Sequence, residues 1–369
     1  MSPAPGGPEE SSEITMRGVF KLGRFSAPGR PAFAAMVVGE QVFPLEDLSA
    51  AAAARGLTLG GDQSPNGIFE QWADNFPVLQ RLAGDIARGG PNDRDLSALA
   101  IGLEGLEVLL PLQPRQIFCA GANYRKHVVD LLVDRGLAGD PKASEAELRA
   151  NAERIMDVRA ASGRPFVFIA LPSALVGPYD TVELPYDVAQ PDWELELAVV
   201  IGRSARRVSR AEALDHVAGY TIANDITARD LVARPDAPGL GADWMAAKGS
   251  PSFLPIGPYV VPAAFVGDPQ NLGIKLKLNG QVMQDESTAD MIYSVAQIIE
   301  HISRHVRLLP GDVICTGSPA GNGSHFNRFL QDGDVIEGEI TGLGKQRNLC
   351  VAERQAVRPA VSDPMKEAG

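Results

Sequence analysis

The sequence predicts a β-rich α+β fold, with a sandwich, roll or barrel-like core and a smaller α+β domain at the N-terminus. Three observations support this prediction. The chain has 369 residues, 45% of them hydrophobic, which is enough to fill one large core and one smaller core. From residue 116 onward, short β-branched runs alternate with turns rich in Gly, Pro and Asp. Long helical patterns are few in that part, as is typical of β-sandwiches and barrels.

Changes in composition along the chain suggest its domain organisation. Residues 1–15 are rich in Pro, Gly and Glu, and we expect a disordered tail there and another at 356–369. Residues 16–112 combine short strand patterns with Ala-rich helical patterns, which predicts the smaller α+β domain. Residues 113–355 are assigned to the larger domain. Within it, the charged, Ala-rich segment at about 130–163 is interpreted as one or two inserted helices that form a lid.

Two further helices are predicted inside the larger domain. The first covers residues 210–217, with Ser209 as its N-cap. The second covers residues 294–306 and ends before Pro310 and Gly311, which cannot readily continue a helix.

The charge and the cysteines restrict the classes of function. A formal net charge of −12 and a pI of about 5.0 argue against nucleic acid and anionic membranes as partners. No apolar run reaches the roughly 18 residues of a membrane span. Cys119, Cys315 and Cys350 form no CxxC pair, which argues against a zinc knuckle or a redox motif. Sparse cysteines favour a reducing compartment, and we expect a cytoplasmic protein.

A pair of glutamates is the first candidate for a metal site. In the run Asp-Trp-Glu-Leu-Glu-Leu, a strand would place Glu194 and Glu196 on one face. Their mutual repulsion would be relieved by a divalent cation, and oxygen ligands favour magnesium, manganese or calcium over zinc. Asp225 follows another apolar strand and could be the third ligand. The pattern alone is more typical of a solvated strand face whose glutamates pair with arginines.

A histidine and a lysine are candidate catalytic residues. His127 and Asp130 are three residues apart in a helical pattern, so they are neighbours on one face and could form a general base with its carboxylate. A surface His–Asp pair is the alternative. Lys248 lies in an apolar stretch and could donate to an anionic intermediate or form a Schiff base, unless it is a surface lysine.

Taken in order, a set of short motifs across residues 113–350 resembles the fumarylacetoacetate hydrolase family, including its acylpyruvase and 2-hydroxyhepta-diene-dioate isomerase members. Each motif is short, but their order and spacing together are specific. The matching motifs are Gly121-Ala122-Asn123-Tyr124 with His127, Glu194-Leu195-Glu196, Asn224-Asp225, Ala228-Arg229-Asp230, Lys248, Gly311-Asp312-Val313-Ile314 and Thr316-Gly317-Ser318-Pro319.

The resemblance implies a mixed β-sandwich roll, a homodimer and a bound Mg²⁺ or Mn²⁺, with Ca²⁺ as a further option. It implies that Glu194, Glu196 and Asp225 hold this ion. It also implies that His127 activates water and that Lys248 faces the substrate.

Five further residues are singled out as candidate substrate-binding residues or as the carboxylate partner of His127. Tyr124, Arg229 and Thr316 match substrate-contacting positions, and Gly317 beside Thr316 offers a backbone donor. Asp130 stands where many members have a glutamate, which has a longer reach toward the histidine.

The resemblance leads to a predicted reaction. We expect a metal-dependent hydrolase that cleaves a C–C bond in a 1,3-dicarbonyl or acylpyruvate-type 2-oxo acid, in aromatic or related catabolism. Decarboxylation, isomerisation and dehydration of a related 2-oxo acid use the same enolate chemistry and stay open. A Schiff-base aldolase using Lys248 and a non-catalytic binding protein are the alternatives from other classes.

Overall fold

The computed structural model describes residues 18–89 and 94–354. About 32% of the chain is strand and 30% helix, and the strands form open sheets, which confirms the predicted β-rich α+β fold. The two predicted tails, 1–15 and 356–369, lie outside the described residues. Within the described residues, no helix combines the length and the apolar character needed to cross a bilayer.

Nineteen strands are found in the described residues, and their order in the sheets differs from their order in the sequence. They are β1 Lys21–Ala27, β2 Arg30–Val38, β3 Gln41–Pro44, β4 Ile101–Gly102, β5 Glu107–Leu109, β6 Ile117–Gly121, β7 Phe166–Ala170, β8 Leu175–Val176, β9 Val182–Leu184, β10 Pro191–Asp192, β11 Leu195–Ile201, β12 Val217–Asn224, β13 Thr227–Ala228, β14 Leu254–Pro262, β15 Gly273–Leu278, β16 Gln281–Ser287, β17 Val313–Cys315, β18 Val335–Ile340 and β19 Gly344–Ala352.

The α-helices of the described residues are fewer and lie mostly on the outside of the sheets. They are α1 Leu45–Ala53, α2 Pro65–Glu70, α3 Trp72–Arg88, α4 Arg94–Ser97, α5 Arg125–Asp134, α6 Glu145–Ser162, α7 Arg229–Val232, α8 Trp244–Lys248, α9 Val295–His305 and α10 Gly323–Phe326.

The strands form a twelve-stranded, a five-stranded and a two-stranded sheet. The large sheet has the order β4-β3-β2-β1-β14-β12-β11-β17-β6-β7, with β5 paired to β1 and β8 paired to β14. The five-stranded sheet has the order β16-β15-β18-β19-β9, and β10 pairs with β13. The N-terminal strands therefore continue the same sheet as the later strands, through the antiparallel contact of Leu22 with Val260.

Strand β11 is buried on both faces and separates two hydrophobic cores. Leu195, Leu197 and Val199 point into one core, together with residues of the five-stranded sheet. Ala198 and Val200 point into the other core, together with helix α3. This double burial explains the nearly continuous apolar run of β11, because neither face of the strand meets water.

The predicted helix at 294–306 is confirmed as α9. Ser294 and Gln297 form a capping box, in which each side chain accepts a hydrogen bond from the backbone N–H of the other residue. Ile298, Ile299 and Ile302 form its buried face. The helix predicted at 210–217 is wrong, because only a short 3₁₀ turn, Ala213–His216, is found there.

The segment predicted as a helical insertion, about 130–163, contains the end of α5 and all of α6. Helix α6 begins with a capping box between Ser144 and Glu147. An ion pair of 2.8 Å between Arg149 and Asp130 ties α6 to α5. Helix α5 lines the candidate site cavity through Asp130, and α6 packs against α5.

Replacing Gly338 by Val tests the close packing of the two large sheets. A Cβ on Gly338 would lie 2.5 Å from Leu195 Cδ1, in a space that has no room for it. We expect the free energy of unfolding, measured by urea denaturation, to fall by about 1–3 kcal/mol. Gly102→Val is the control, because nothing lies within 4 Å of its Cβ position. Equal losses in the two variants would contradict this packing.

Candidate active site

Three carboxylates meet at the ends of strands β11 and β12. Glu194 immediately precedes β11 and Glu196 lies on it, while Asp225 follows β12. The antiparallel register places Leu195 opposite Asn224, and the Asp225 N–H donates to the Glu194 carbonyl at 2.9 Å. As a result, each carboxylate offers an oxygen within 4.8 Å of the other two. The solvated-face alternative does not describe this arrangement, since Glu196 and Asp225 are each 2% exposed.

Lys248 projects from the end of α8 into this cluster. Its Nζ lies 2.9 Å from Glu194 Oε2 and 2.5 Å from Asp225 Oδ2, and it also donates to the Asp225 carbonyl at 2.9 Å. Only 4% of the side chain is exposed, so Lys248 is not a surface lysine. Its ammonium therefore compensates part of the negative charge of the carboxylates.

Arg229 contributes a second cation, and its guanidinium forms ion pairs with two carboxylates. Its Nη2 lies 2.6 Å from Glu194 Oε1, and its Nε lies 2.8 Å from Asp192 Oδ2. The guanidinium also lines the cavity beside the cluster. Glu194 thus has a cation on each of its two oxygens.

The environment separates the pKa values of the three acids. Burial is the largest influence on each of them, and it favours the neutral form. The pKa of Glu196 is raised well above its usual range by burial and by the nearby Asp225 carboxylate. Burial also raises the pKa of Asp225, against the charge of Lys248. For Glu194, Lys248 and Arg229 outweigh burial and lower the pKa to about 2.

This donor set fits a hard divalent cation. Three acidic oxygens lie within reach of one ion, and such cations prefer carboxylate oxygens. Burial of Glu196 beside Asp225 is unfavourable without added positive charge, and a cation bound to both would remove that penalty. Glu194, Glu196 and Asp225 are therefore the residues that could hold the ion.

Of the three residues predicted to bind substrate near the carboxylates, Gly317 lines the cavity, whereas Thr316 and Tyr124 do not. The Gly317 N–H donates to Glu196 Oε2 at 2.6 Å, and Gly317 lines the cavity. Its φ is +99°, and a Cβ there would lie 2.9 Å from the Ala120 carbonyl oxygen, so glycine is needed. Thr316 and Tyr124, predicted to contact substrate, are fully buried behind the cavity wall, where the Thr316 hydroxyl donates to the Leu197 carbonyl.

His127 lines the same cavity as the carboxylates, but Asp130 is engaged elsewhere. The Asp130 carboxylate accepts a hydrogen bond from Arg149 of α6 at 2.8 Å, so it does not orient the imidazole as predicted. Within the described part of the chain, no hydrogen bond to the His127 ring is found. Burial lowers the pKa of His127 below its usual 6.5, which favours the neutral imidazole at neutral pH.

The cavity has a volume of about 550 Å³ and an aromatic wall that the sequence did not indicate. Phe168 and Trp244 stack with centroids 4.7 Å apart, and Phe166 lies against Trp244. The Lys248 ammonium lies 5.4 Å from the centroid of Phe168. The alternation of Phe166 and Phe168 along β7 was the one feature of the sequence that could have placed both rings on one face.

The family model described as "Fumarylacetoacetate (FAA) hydrolase C-terminal" matches residues 116–351. The chain belongs to the fumarylacetoacetate hydrolase family. Enzymes of this family depend on a metal ion, and the triad of Glu194, Glu196 and Asp225 supplies a matching acidic site. The resemblance of the sequence motifs to this family is therefore confirmed.

Individual members of the fumarylacetoacetate hydrolase family are similar over most of the chain. A fumarylacetoacetate hydrolase domain-containing protein 2 homolog of Dictyostelium discoideum is 36% identical over 67% of this chain and 75% of its own length. The mitochondrial oxaloacetate tautomerase FAHD2A of Bos taurus is 41% identical over 63% of this chain and 65% of its own. The solved fumarylacetoacetate hydrolase of Exiguobacterium antarcticum is 30% identical, with a TM-score of 0.66 over 90% of this chain and 100% of that one.

Replacing Glu196 by Gln should remove the response of the protein to divalent ions. We expect Mg²⁺ or Mn²⁺ to raise the Tm of the unaltered protein, since an ion at 100 times its Kd adds about 2.7 kcal/mol. The variant should lose this rise. Its metal-free form should be at least as stable as the metal-free parent, because the neutral amide removes a charge that burial disfavours.

Glu183→Gln is the control for this experiment, because Glu183 is exposed on β9 and outside the cavity. Thermal melts with and without ion provide the measurement. An ion-dependent rise in the Tm of the Glu196 variant equal to that of the control would contradict the assignment of Glu196 as a ligand.

Proposed function

We propose that this protein catalyses the keto–enol tautomerisation of a 2-oxo dicarboxylic acid of the oxaloacetate type, with Mg²⁺ or Mn²⁺ at Glu194, Glu196 and Asp225. The observation that carries the proposal is the position of His127, which lies in the same cavity as the three carboxylates and has no carboxylate partner of its own. The similar bovine protein is named an oxaloacetate tautomerase. A bound ion would supply the positive charge that stabilises an enolate oxygen.

The proposed role of His127 is to move one proton. Its lowered pKa keeps the imidazole ready to accept the proton from the carbon beside the keto group. The same proton is then returned to the enolate oxygen, so the reaction consumes no water. Lys248, whose ammonium is held by Glu194 and Asp225, adds a further positive charge at that side of the cavity.

Arg135 supports a substrate with a second carboxylate. It follows α5 and lines the cavity, and within residues 18–89 and 94–354 its side chain has no ion-pair partner. Arg229 and Lys248, in contrast, are already engaged by carboxylates. Asp134 lies beside Arg135 in the cavity wall, and its negative charge offsets the long-range attraction of Arg135 for an anion. A substrate carboxylate would therefore have to bind the Arg135 guanidinium by direct contact.

Replacing His127 by Ala tests the proton-transfer role. We expect kcat for oxaloacetate tautomerisation, followed by the ultraviolet absorbance of the enol, to fall ~100- to 10,000-fold. The Kd of the divalent ion should change little, since His127 is not among the proposed ligands. His305→Ala is the control, because His305 is exposed on α9. A variant at His127 with the parental rate would show that another group moves the proton.

Hydrolysis of a C–C bond in an acylpyruvate, the reaction that the sequence predicted, is the second candidate. The size of the cavity and its aromatic wall favour it, since both suit a substrate longer than a four-carbon acid. In this reaction His127 would take a proton from water, the hydroxide would add to the distal carbonyl, and the C–C bond would break to release an enolate. Hydrolysis is the second candidate and not the first because Asp130 pairs with Arg149, which leaves no carboxylate to orient His127.

The aromatic wall distinguishes the two reactions. If an acylpyruvate with an aryl end is cleaved, Trp244→Ala should raise its KM about tenfold, or about 1.4 kcal/mol, and leave tautomerisation of oxaloacetate nearly unchanged. Met245→Ala is the control, because this neighbour on α8 is 70% exposed and outside the cavity lining. Steady-state kinetics with both substrates provide the measurement. Equal changes for both substrates would contradict a role of the wall in selecting the longer one.

Three other predictions stay proposals. The exposed apolar side chains of Ile169 on the edge strand β7 and of Leu171 just after it are the basis for proposing a homodimer. A boundary near residue 112 would separate the N-terminal strands from the segment that the family model matches. We expected a cytoplasmic location, whereas the similar bovine protein is named as mitochondrial.

A further inference from the structure

Asp192 is a buried carboxylate that belongs to none of the roles above. Its side chain is fully buried, and it makes three polar contacts. One oxygen accepts a hydrogen bond from Arg229 Nε at 2.8 Å. The backbone N–H groups of Gly323 and Ser324 donate to the carboxylate at 2.5 and 3.1 Å. A single side chain therefore connects an arginine of the cavity to the turn that begins α10.

The two-stranded sheet β10–β13 places Asp192 and Arg229 side by side. Asp192 is paired with Thr227, two residues before Arg229, so the short sheet sets the approach of the two side chains. On the other side, a Cβ at position 323 would lie 2.7 Å from Asp192 Oδ1, so only glycine lets the turn come this close. Ser324, the next residue, lines the cavity.

Arg229 divides its positive charge between two carboxylates. Its Nε contacts Asp192 and its Nη2 contacts Glu194, the candidate metal ligand. If Asp192 carried no charge, the guanidinium would interact with Glu194 alone. Arg229 would then compete more strongly with a divalent cation for the Glu194 carboxylate. It would also repel the cation more strongly, because Asp192 would no longer neutralise part of its charge.

We propose that Asp192 is a positioning residue that sets the affinity of Glu194 for the divalent ion by holding Arg229, and that it anchors the Gly323–Ser324 wall of the cavity to the same arginine. The inference rests on the proposed ion site and not on which reaction occurs there.

The first test compares Asp192→Asn with the unaltered chain by isothermal titration with Mn²⁺ or Mg²⁺. The amide keeps the shape and one acceptor oxygen for the turn, but it loses the charge. We expect the Kd of the ion to rise ~10- to 100-fold. Asp312→Asn is the matched control: Asp312 is also buried, and it accepts hydrogen bonds from the Leu309 N–H and the Gln116 side chain at the other end of β17. Its Kd should equal that of the parent.

A second arginine variant separates this role from general damage to the fold. With Arg229→Gln, Lys248 is the one remaining cation of the site that contacts Glu194 among the described residues, and the competition from the arginine is gone, so the ion should bind at least as tightly as in the parent. The double variant Asp192→Asn, Arg229→Gln should then bind the ion like Arg229→Gln, because Asp192 would have nothing left to hold. If neither variant that carries Asp192→Asn folds, Arg229→Gln alone still tests the competition, because weaker binding of the ion in that variant would contradict it.

The outcomes are distinguishable. A double variant that binds the ion clearly more weakly than Arg229→Gln would overturn the role of Asp192 through Arg229, and so would a parental Kd in Asp192→Asn. An unaltered chain that binds neither Mn²⁺ nor Mg²⁺ would overturn the ion site itself and the proposed function with it.

Discussion

The balance of buried charge around Glu194 is the constraint on which the rest of the site depends. Four carboxylates and two cations meet in a space largely closed to water, where an unbalanced charge is costly. When all are ionised, the carboxylates exceed the cations by two charges, which is the charge of one divalent ion. The groups concerned are Asp192, Glu194, Glu196, Asp225, Arg229 and Lys248.

The fold supplies this arrangement through strand β11 and its neighbours. Because both faces of β11 are buried, Glu196 is only 2% exposed although it lines the cavity. The pairing of β11 with β12 brings Asp225 beside Glu194, and a slip of one residue would turn Glu196 to the opposite face. The close turn at Gly317 then aims a backbone N–H at Glu196, so the position of one ligand is set by two separate parts of the chain.

The sequence was informative where a local rule decides the structure, as in the alternation that places Glu194 and Glu196 on one face or the capping box at Ser294. Asp225 could be assigned only through resemblance to the family, because its distance from the glutamates depends on strand pairing. Residues 210–217 look helical in isolation, but the structure has only a 3₁₀ turn at Ala213–His216 there. Asp192 lies two residues before Glu194 and continues the same alternation, yet its partners are far away in sequence.

The ion pair of Asp130 with Arg149 could not be predicted from a local sequence pattern, and it affects which reaction the site can catalyse. Spacing placed Asp130 near His127, but Arg149 of the next helix competes for the same carboxylate and holds it at 2.8 Å. The Arg149 side chain is 44% exposed and that of Asp130 14%, and a partly exposed ion pair contributes modestly to stability, so the pair between α5 and α6 can exchange at modest cost. Tautomerisation needs only a neutral imidazole, which the lowered pKa of His127 favours. Activation of water by a histidine with a carboxylate behind it would first require Asp130 to leave Arg149. The same cavity therefore supports proton transfer as it stands, and hydrolysis only after the Asp130 carboxylate exchanges Arg149 for His127.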